Sequence, residues 1–329
     1  MATTTRPTLP LKSYRFHFET AQNIRLPEYP GSAWRGAFGH ALKKTVCIVR
    51  NTPCKQCLLQ SACAYSYIFE TPPPANSEKM RKYTAAPHPF VLQLPQTAAA
   101  NNQTYILNLI LYGHGQRYFP YMVHALQNAG LDGIGNQQLA FVLHKITDIS
   151  LQADGDVIYQ KGELLPQAAA ESPAIPAMPN QIELYFPTPL RIKQDSKNLT
   201  SHDFSFGAFF GALLRRISML SYFHTDTPLE TDFAALTAKA RTVQFSAQQL
   251  KWFDWTRYSS RQQTEMQMGG LLGSVNLDMQ GLEEFWPYLW LGQWTHVGKG
   301  ATMGMGAYSI SAASLPNHPK LEIPATMPS

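Results

Sequence analysis

Near its C-terminus the chain reads HVGKGATMGMGAY, His296 to Tyr308, with Gly298, Gly300, Gly304 and Gly306 set around Lys299 and Thr302. Without Cβ atoms such a loop reaches positive φ and lets backbone N–H groups approach a phosphate, while Lys299 adds positive charge. Neither the Walker nor the dinucleotide spacing is present, so the motif indicates a phosphate without naming its carrier. A glycine-rich hairpin of no functional consequence is the plain alternative. His296 adjoins the loop and is a candidate RNA contact or proton donor, or simply a cap for the preceding helix.

A second group lies in GSAWRGAFGHALKK, Gly31 to Lys44. At 3.6 residues per turn, Gly36, Gly39, His40, Lys43 and Lys44 share a face opposite Trp34 and Phe38. Two glycines leave room for a bulky ligand, an imidazole exchanges protons near neutral pH, and Lys43 or Lys44 steadies phosphate charge. A solvated helix face with one ordinary histidine has the same residues. In LKWFDWTRYSSRQQTEMQMGG, Trp252, Trp255 and Tyr258 interleave with Lys251, Arg257 and Arg261. Rings that stack on bases beside arginines that contact phosphates suit single-stranded RNA; a strand with its aromatics in the core is the competing reading. Arg215 and Arg216 are either RNA contacts or part of a solvated helix face. His224 suits a helix C-terminus, and His88, between prolines, reads as structural.

All four cysteines fall in one segment, Cys47, Cys54, Cys57 and Cys63, spaced C-x6-C-x2-C-x5-C. In a reducing compartment this pattern suits a metal better than disulfides. Four thiolates make a closed tetrahedral zinc site, structural because no coordination position is left open. An iron–sulfur cluster and free or redox-active thiols are the other readings.

These residues need a scaffold, and 329 residues with 44% hydrophobic content suffice for two soluble domains. Lys and Arg outnumber Asp and Glu by 27 to 22, a formal charge of +5 that only weakly favours a polyanionic partner. The Thr- and Pro-rich start lacks a signal-peptide core, and no apolar run is long enough to span a membrane, which gives a cytoplasmic expectation. SYRFHFET, Ser13 to Thr20, alternates as a half-buried strand. A helix capped by Ser32 follows, then the cysteine insertion at about residues 45–70, a strand at Tyr105 to Tyr112, a helix near Phe119 to Ala129 and strands near Leu139 to Ile149 and Val157 to Lys161. LLPQAAAESPAIPAMPN, Leu164 to Asn180, reads as a linker. After it come a strand at Gln181 to Lys193, a helix at Asp203 to Phe223, strands through Leu250 to Leu277, a short helix at Leu282 to Trp290 and a last strand at Ala307 to Ala312. The expected layout is α+β, with domains at 1–163 and 181–329 joined by a linker at 164–180.

Together these residues resemble the CRISPR repeat-processing endoribonucleases of the repeat-associated mysterious protein (RAMP) superfamily. The resemblance rests on WRGAFGHAL, CIVRNTPCKQCLLQSACAYSYIFETPPP, PHPFVL, FPTPLRIK, ALLRRISMLSYFH, WTRYSSRQ with MGGLLG, and HVGKGATMGMGAY. The glycine-rich loop is the superfamily's hallmark, and the cysteine cluster resembles that of a subset. The resemblance implies two tandem ferredoxin-like (RRM-like) domains, the first with a cysteine-rich metal-binding insertion. It also implies cleavage of precursor CRISPR RNA within each repeat. There the 2′-hydroxyl attacks the phosphate, leaving a 2′,3′-cyclic phosphate and a 5′-hydroxyl with no catalytic metal. By that resemblance His40 is the general acid or base, Lys43 or Lys44 stabilises charge, and Tyr29, just ahead of the helix, is a further candidate. The partners implied are CRISPR repeat RNA and other CRISPR effector subunits, with no membrane. A non-catalytic RNA-binding subunit of an effector complex keeps the loop without the cutting; a zinc-dependent scaffold docking a protein partner keeps only the cysteines.

Overall fold

The computed structural model describes residues 6–21, 29–74, 77–78, 85–94, 103–134, 139–150, 155–259, 264–313 and 315. The chain divides into two compact units. One comprises Leu9–Ser172 with Met219–Pro228; the other comprises Met1–Thr8, Pro173–Ser218 and Leu229–Ser329. The architecture is mixed α+β, and every strand pair is antiparallel.

The N-terminal unit begins with β1 (Leu11–Glu19) and α1 (Gly31–Val46). It continues through β2 (Phe90–Gln93), β3 (Thr104–Tyr112), α2 (Phe119–Asp132), β4 (Val142–Asp148), β5 (Asp156–Gln160) and β6 (Glu163–Leu164). The sheet order is β2-β3-β1-β4-β5-β6, so β1 and β3 lie side by side in the middle, as a βαββαβ path requires. Alternation along β1 sends Tyr14, Phe16 and Phe18 into the core, where Trp34 and Phe38 of α1 and Met122 and Leu126 of α2 join them, all fully buried. Each such side chain contributes about 1.5–3 kcal/mol on burial, enough to fix the face that α1 turns inward. The helix starts at Gly31 behind Pro30, not behind a Ser32 cap, because the Trp34 N–H already bonds the Pro30 carbonyl.

The C-terminal unit repeats the path. It runs β7 (Gln181–Leu190), a small hairpin of β8 (Lys193–Gln194) and β9 (Lys197–Asn198), α3 (Phe206–His224) and α4 (Phe233–Ala240). Then follow β10 (Ala247–Ser259), β11 (Thr264–Asp278), α5 (Trp286–Thr295) and β12 (Ser309–Ser311), with sheet order β10-β11-β7-β12. Phe206, Phe209, Phe210 and Leu213 of α3 are fully buried against this sheet's core with Phe285 and Leu289. The grouping of the chain assigns α3 beyond Ser218 to the N-terminal unit. β11 pairs with β7 from Leu271 to Asp278, whereas the β10–β11 ladder reaches Ser259 and Thr264, so a two-stranded ribbon runs on past the sheet. α5 begins at Trp286 and ends at Thr295, later at both ends than the pattern suggested.

The expected linker is not a free tether. Leu164 belongs to β6, and Glu171 bridges to Leu11. From Pro173 on, the segment lies along the C-terminal unit: the indole N–H groups of Trp290 and Trp286 donate to the Ala174 and Pro176 carbonyls at 2.9 and 2.7 Å. Absence of periodicity marks irregular backbone, and here that backbone is strapped down by two tryptophans.

Candidate functional site

The glycine-rich loop joins α5 to β12. Gly298, Gly300, Gly304 and Gly306 all take left-handed φ, between 67° and 91°. At Gly306 a Cβ would overlap the Val297 carbonyl oxygen, and at Gly298 it would overlap that of Arg191, so two turns of chain close on each other only because side chains are missing. Much of the backbone is spent on this closure. Val297 donates to the Gly306 carbonyl at 2.9 Å, Lys299 to Arg191 at 2.8 Å and Gly306 to Pro189 at 3.1 Å. Thr188 of β7 is buried, donates its hydroxyl to the Gly304 carbonyl at 3.0 Å and accepts the Ala307 N–H at 2.9 Å. Tyr308 donates to the Leu289 carbonyl at 2.6 Å, and its ring end fills the place where Gly292 has no side chain.

Among the described residues, the N–H groups of Gly298 and Gly300 have no protein acceptor, and the exposed Lys299 lies between them. Amides on either side of an ammonium-bearing residue are suited to an anion. Gly304 and Gly306 are buried and shape the turn without reaching the surface; Thr302 is half-buried.

Two expected RNA contacts are corrected. His296 is fully buried, with Nδ1 donating to the Met305 carbonyl at 3.2 Å, so it pins the loop from inside. Burial, and then the Arg216 guanidinium, lower its pKa to about 3, which keeps the ring neutral. Arg216 donates through Nε to the Thr295 carbonyl, clasping the last turn of α5 rather than a phosphate. Arg215 is exposed. Trp255 is buried and Trp252 is 37% exposed, so the aromatics of the ribbon divide between core and surface. The side chain of Arg257 lies outside the described residues, as does Arg261 altogether.

On α1, Gly36, His40, Lys43 and Lys44 are exposed, as their spacing demands. Lys44 approaches Asp132 at 3.7 Å, a pair more than half exposed and worth at most about 1 kcal/mol. The open face is narrower than expected, because Gly39 is covered: a Cβ there would overlap Cζ of Phe69. Phe69 comes from a π-helical turn, Ser66–Glu70, inside the cysteine segment. The Arg35 guanidinium lies 4.6 Å from the Phe69 centroid, and Lys43 Nζ lies 5.6 Å from that of Tyr65. Tyr29, two residues ahead of the helix, has its phenol pKa raised by burial and then by Tyr105, so it remains protonated.

His224 is buried, with Tyr67 at Nδ1 and the Pro87 carbonyl at Nε2, 2.9 and 2.7 Å away. It closes the end of α3 as a bonded core group rather than as a charge at a helix terminus. Sequence reasoning also missed Thr188, Tyr65, Phe69 and Arg35. Thr188 had a signal, flanked by prolines in FPTPLRIK; the aromatic pair had none, since only the tertiary fold brings it to α1.

The cysteines are half-buried and unbridged, with Cys54 and Cys63 packed against the N-terminal core. The Cys47 thiol donates to the Val49 carbonyl at 3.4 Å, and burial raises the Cys54 pKa. Among the described residues no three His, Cys, Asp or Glu side chains are gathered as a metal ion needs. The tetrahedral set expected from the spacing is therefore not assembled in this conformation.

The model of the CRISPR-associated endoribonuclease Cas6 matches residues 184–308, and a model described as an N-terminal domain matches residues 9–173. No curated protein sequence matches the chain. Among solved structures, a Cas6 product complex aligns with TM-score 0.56 and 16% identity over 92% of this chain and 99% of that one. A Thermus thermophilus Cas6 aligns at 0.51 and 15% over 92% and 99%. A partial Cas6-RT-Cas1–Cas2 complex aligns at 0.56 and 14% over 98% of this chain and 49% of that one. Residues 184–308 thus match the CRISPR-associated endoribonuclease Cas6 family, and the solved Cas6 structures share the fold along nearly the whole chain. Among the described residues, no helix is long and apolar enough to cross a membrane.

Neutral His296 predicts a pH dependence. In the fold the ring stays unprotonated down to about pH 3, whereas its ordinary pKa is 6.5, so the unfolded chain binds the extra proton between those values. The stability it contributes is complete above pH 6.5 and is lost as pH falls toward 3. Urea midpoints measured from about pH 7 to 4 should fall more steeply for the wild type than for His296→Asn, which keeps an amide donor but cannot titrate. Parallel slopes would show that the ring is protonated in the fold.

Proposed function

We propose that this protein is a metal-independent endoribonuclease that binds CRISPR repeat RNA and cuts the precursor transcript by attack of the 2′-hydroxyl. The two βαββαβ units are read as tandem ferredoxin-like domains. The observation that carries the reading is the pair of unpartnered Gly298 and Gly300 amides beside Lys299, an anion seat in a segment that matches the Cas6 model. It is a seat for a backbone phosphate and carries no base preference. Bond breaking is assigned to α1. His40 exchanges the proton, Lys43 and Lys44 offset charge on the phosphorane, and Tyr29, held protonated, is a further donor. Arg215 and the ribbon bearing Trp252, Arg257 and Arg261 extend the RNA surface. Assembly with other CRISPR proteins, the state captured in the partial Cas6-RT-Cas1–Cas2 complex, is proposed for this chain too. The setting is the cytoplasm.

The test is cleavage of repeat RNA in EDTA, comparing an all-ribose strand with one carrying a single 2′-deoxy nucleotide at the scissile step. Cutting of the ribose strand alone, with a cyclic phosphate on the upstream product, is expected. Cutting of both strands, or arrest by EDTA, would remove the mechanism. Binding with no cutting of either strand would leave a non-catalytic RNA-binding subunit.

For Cys47, Cys54, Cys57 and Cys63 we propose a structural zinc site, with an iron–sulfur cluster as the lesser alternative. Their spacing alone supports it. Elemental analysis of protein purified without added metal should give about one zinc per chain, lost together in Cys54→Ser/Cys57→Ser. Four titratable thiols and no metal would eliminate the site.

A further inference from the structure

Arg35, Gly39 and Lys43 are four residues apart on α1 and so lie along one stripe, with His40 on the adjoining stripe. The middle position of the stripe has no side chain, and the Phe69 ring occupies it. Tyr65 stacks on Phe69 at 5.6 Å and 16° between ring planes. Arg35 lies over the Phe69 ring and Lys43 over the Tyr65 ring. Two cations are therefore held at the two ends of one aromatic couple, with His40 between them in sequence.

The couple is itself fixed. Phe69 meets Phe38 edge-on at 6.0 Å and stacks with Phe90 at 6.0 Å and His88 at 6.2 Å. The Tyr65 hydroxyl donates to Glu70 at 3.3 Å. The turn that carries Phe69 is π-helical, follows directly on Tyr65 as its N-cap and ends at Thr71, a non-glycine residue with φ 45° whose hydroxyl lies 2.6 Å from His88 Nδ1. A π-turn closed by a left-handed threonine is not an economical way to pack a surface loop, and both features concentrate where side chains must be aimed. Flexible cations over ring faces lose rotamer freedom and gain roughly 0.5–1 kcal/mol each at exposed sites, enough to bias their positions but not to hold the fold.

We propose that Arg35 and Lys43 form a two-cation clamp for successive phosphates of the RNA backbone astride the bond served by His40, with Phe69 and Tyr65 as the positioning residues that set their spacing. Eight residues at 1.5 Å each set the two Cα atoms about 12 Å apart along the helix, and the two charged groups rest over different rings whose centroids are 5.6 Å apart, so they address different phosphates rather than one. This inference rests on the reading of α1 as the cutting element. It adds Arg35 to that element and gives the segment between Cys63 and Thr71 a role in catalysis.

The test is single-turnover cleavage of repeat RNA with parallel affinity measurements for Arg35→Gln, Phe69→Leu, Phe69→Tyr and Gly39→Ala. Gly39→Ala drives the ring away while leaving every charge in place. Phe69→Leu and Gly39→Ala should each slow cutting at saturating RNA by about tenfold with under threefold change in affinity. Phe69→Tyr should restore most of the rate, and Arg35→Gln should lose both affinity and rate. Ring-current shifts of the Arg35 methylene protons, present in the wild type and in Phe69→Tyr, should vanish in Phe69→Leu, while those of Lys43, which rests on Tyr65, remain. Unchanged cutting by Phe69→Leu and Gly39→Ala, with the Arg35 ring-current shifts gone, would overturn the clamp while sparing the RNA-cutting reading. A wild type that binds repeat RNA and never cuts it would overturn both.

Discussion

The Thr188 hydroxyl, buried between β7 and the glycine-rich loop, donates to one side of the turn and accepts from the other. A buried backbone group left without a partner costs about 1–3 kcal/mol, and this single side chain satisfies two of them. Around it the loop spends most of its amides on itself and on the end of β7. What is left over is the Gly298 and Gly300 N–H groups on either side of the exposed Lys299. His296, Arg216 and Tyr308 serve the same end from the core: a neutral imidazole inside the turn, a guanidinium on the last turn of α5, a phenol against Gly292. The glycines act mainly by letting chain segments meet, so the loop is rigid by construction and an anion would find its donors already aimed.

The first helix solves a different problem. Its inner face is secured by Trp34, Phe38 and Leu42, all fully buried, which leaves Gly36, His40, Lys43 and Lys44 exposed on the other. Composition alone would leave that face smooth, with two glycines and mobile lysines. The fold instead lays Phe69 across Gly39 and keeps Gly36 open, so the helix has one covered and one uncovered gap. The cations at either side of the covered gap rest on rings, and His40 projects beside it. The residues proposed for grip and for cutting lie on separate units of the chain, each built on its own sheet and core.

The legible parts of the sequence were those with a period or an isolated motif. Alternation in SYRFHFET placed β1 with Tyr14, Phe16 and Phe18 inward, and the stripe on α1 oriented that helix correctly. Glycine spacing located the turn at residues 298–306, but composition could not say which glycines face solvent, because burial there is decided by contacts with residues about 110 positions away, such as Thr188. His296 and Arg216 looked like RNA ligands because charge and ring chemistry are visible in a sequence and burial is not. The segment from Pro173 to Asn180 looked free for lack of periodicity, yet irregular backbone docks readily where two indole N–H groups need acceptors. For the cysteines, spacing spoke for a metal, and among the described residues no three metal-ligating side chains are gathered in this conformation.

The central claim is that binding belongs to the loop and bond breaking to the helix, and equilibrium binding paired with single-turnover cleavage on Lys299→Ala and His40→Ala separates them. Lys299→Ala should bind repeat RNA about tenfold more weakly, with a salt slope lower by about one, and still cut at a near-normal rate once saturated. His40→Ala should bind as the wild type does and cut at least roughly 100-fold more slowly. Normal cutting by His40→Ala, or unchanged affinity and salt slope in Lys299→Ala, would contradict the account.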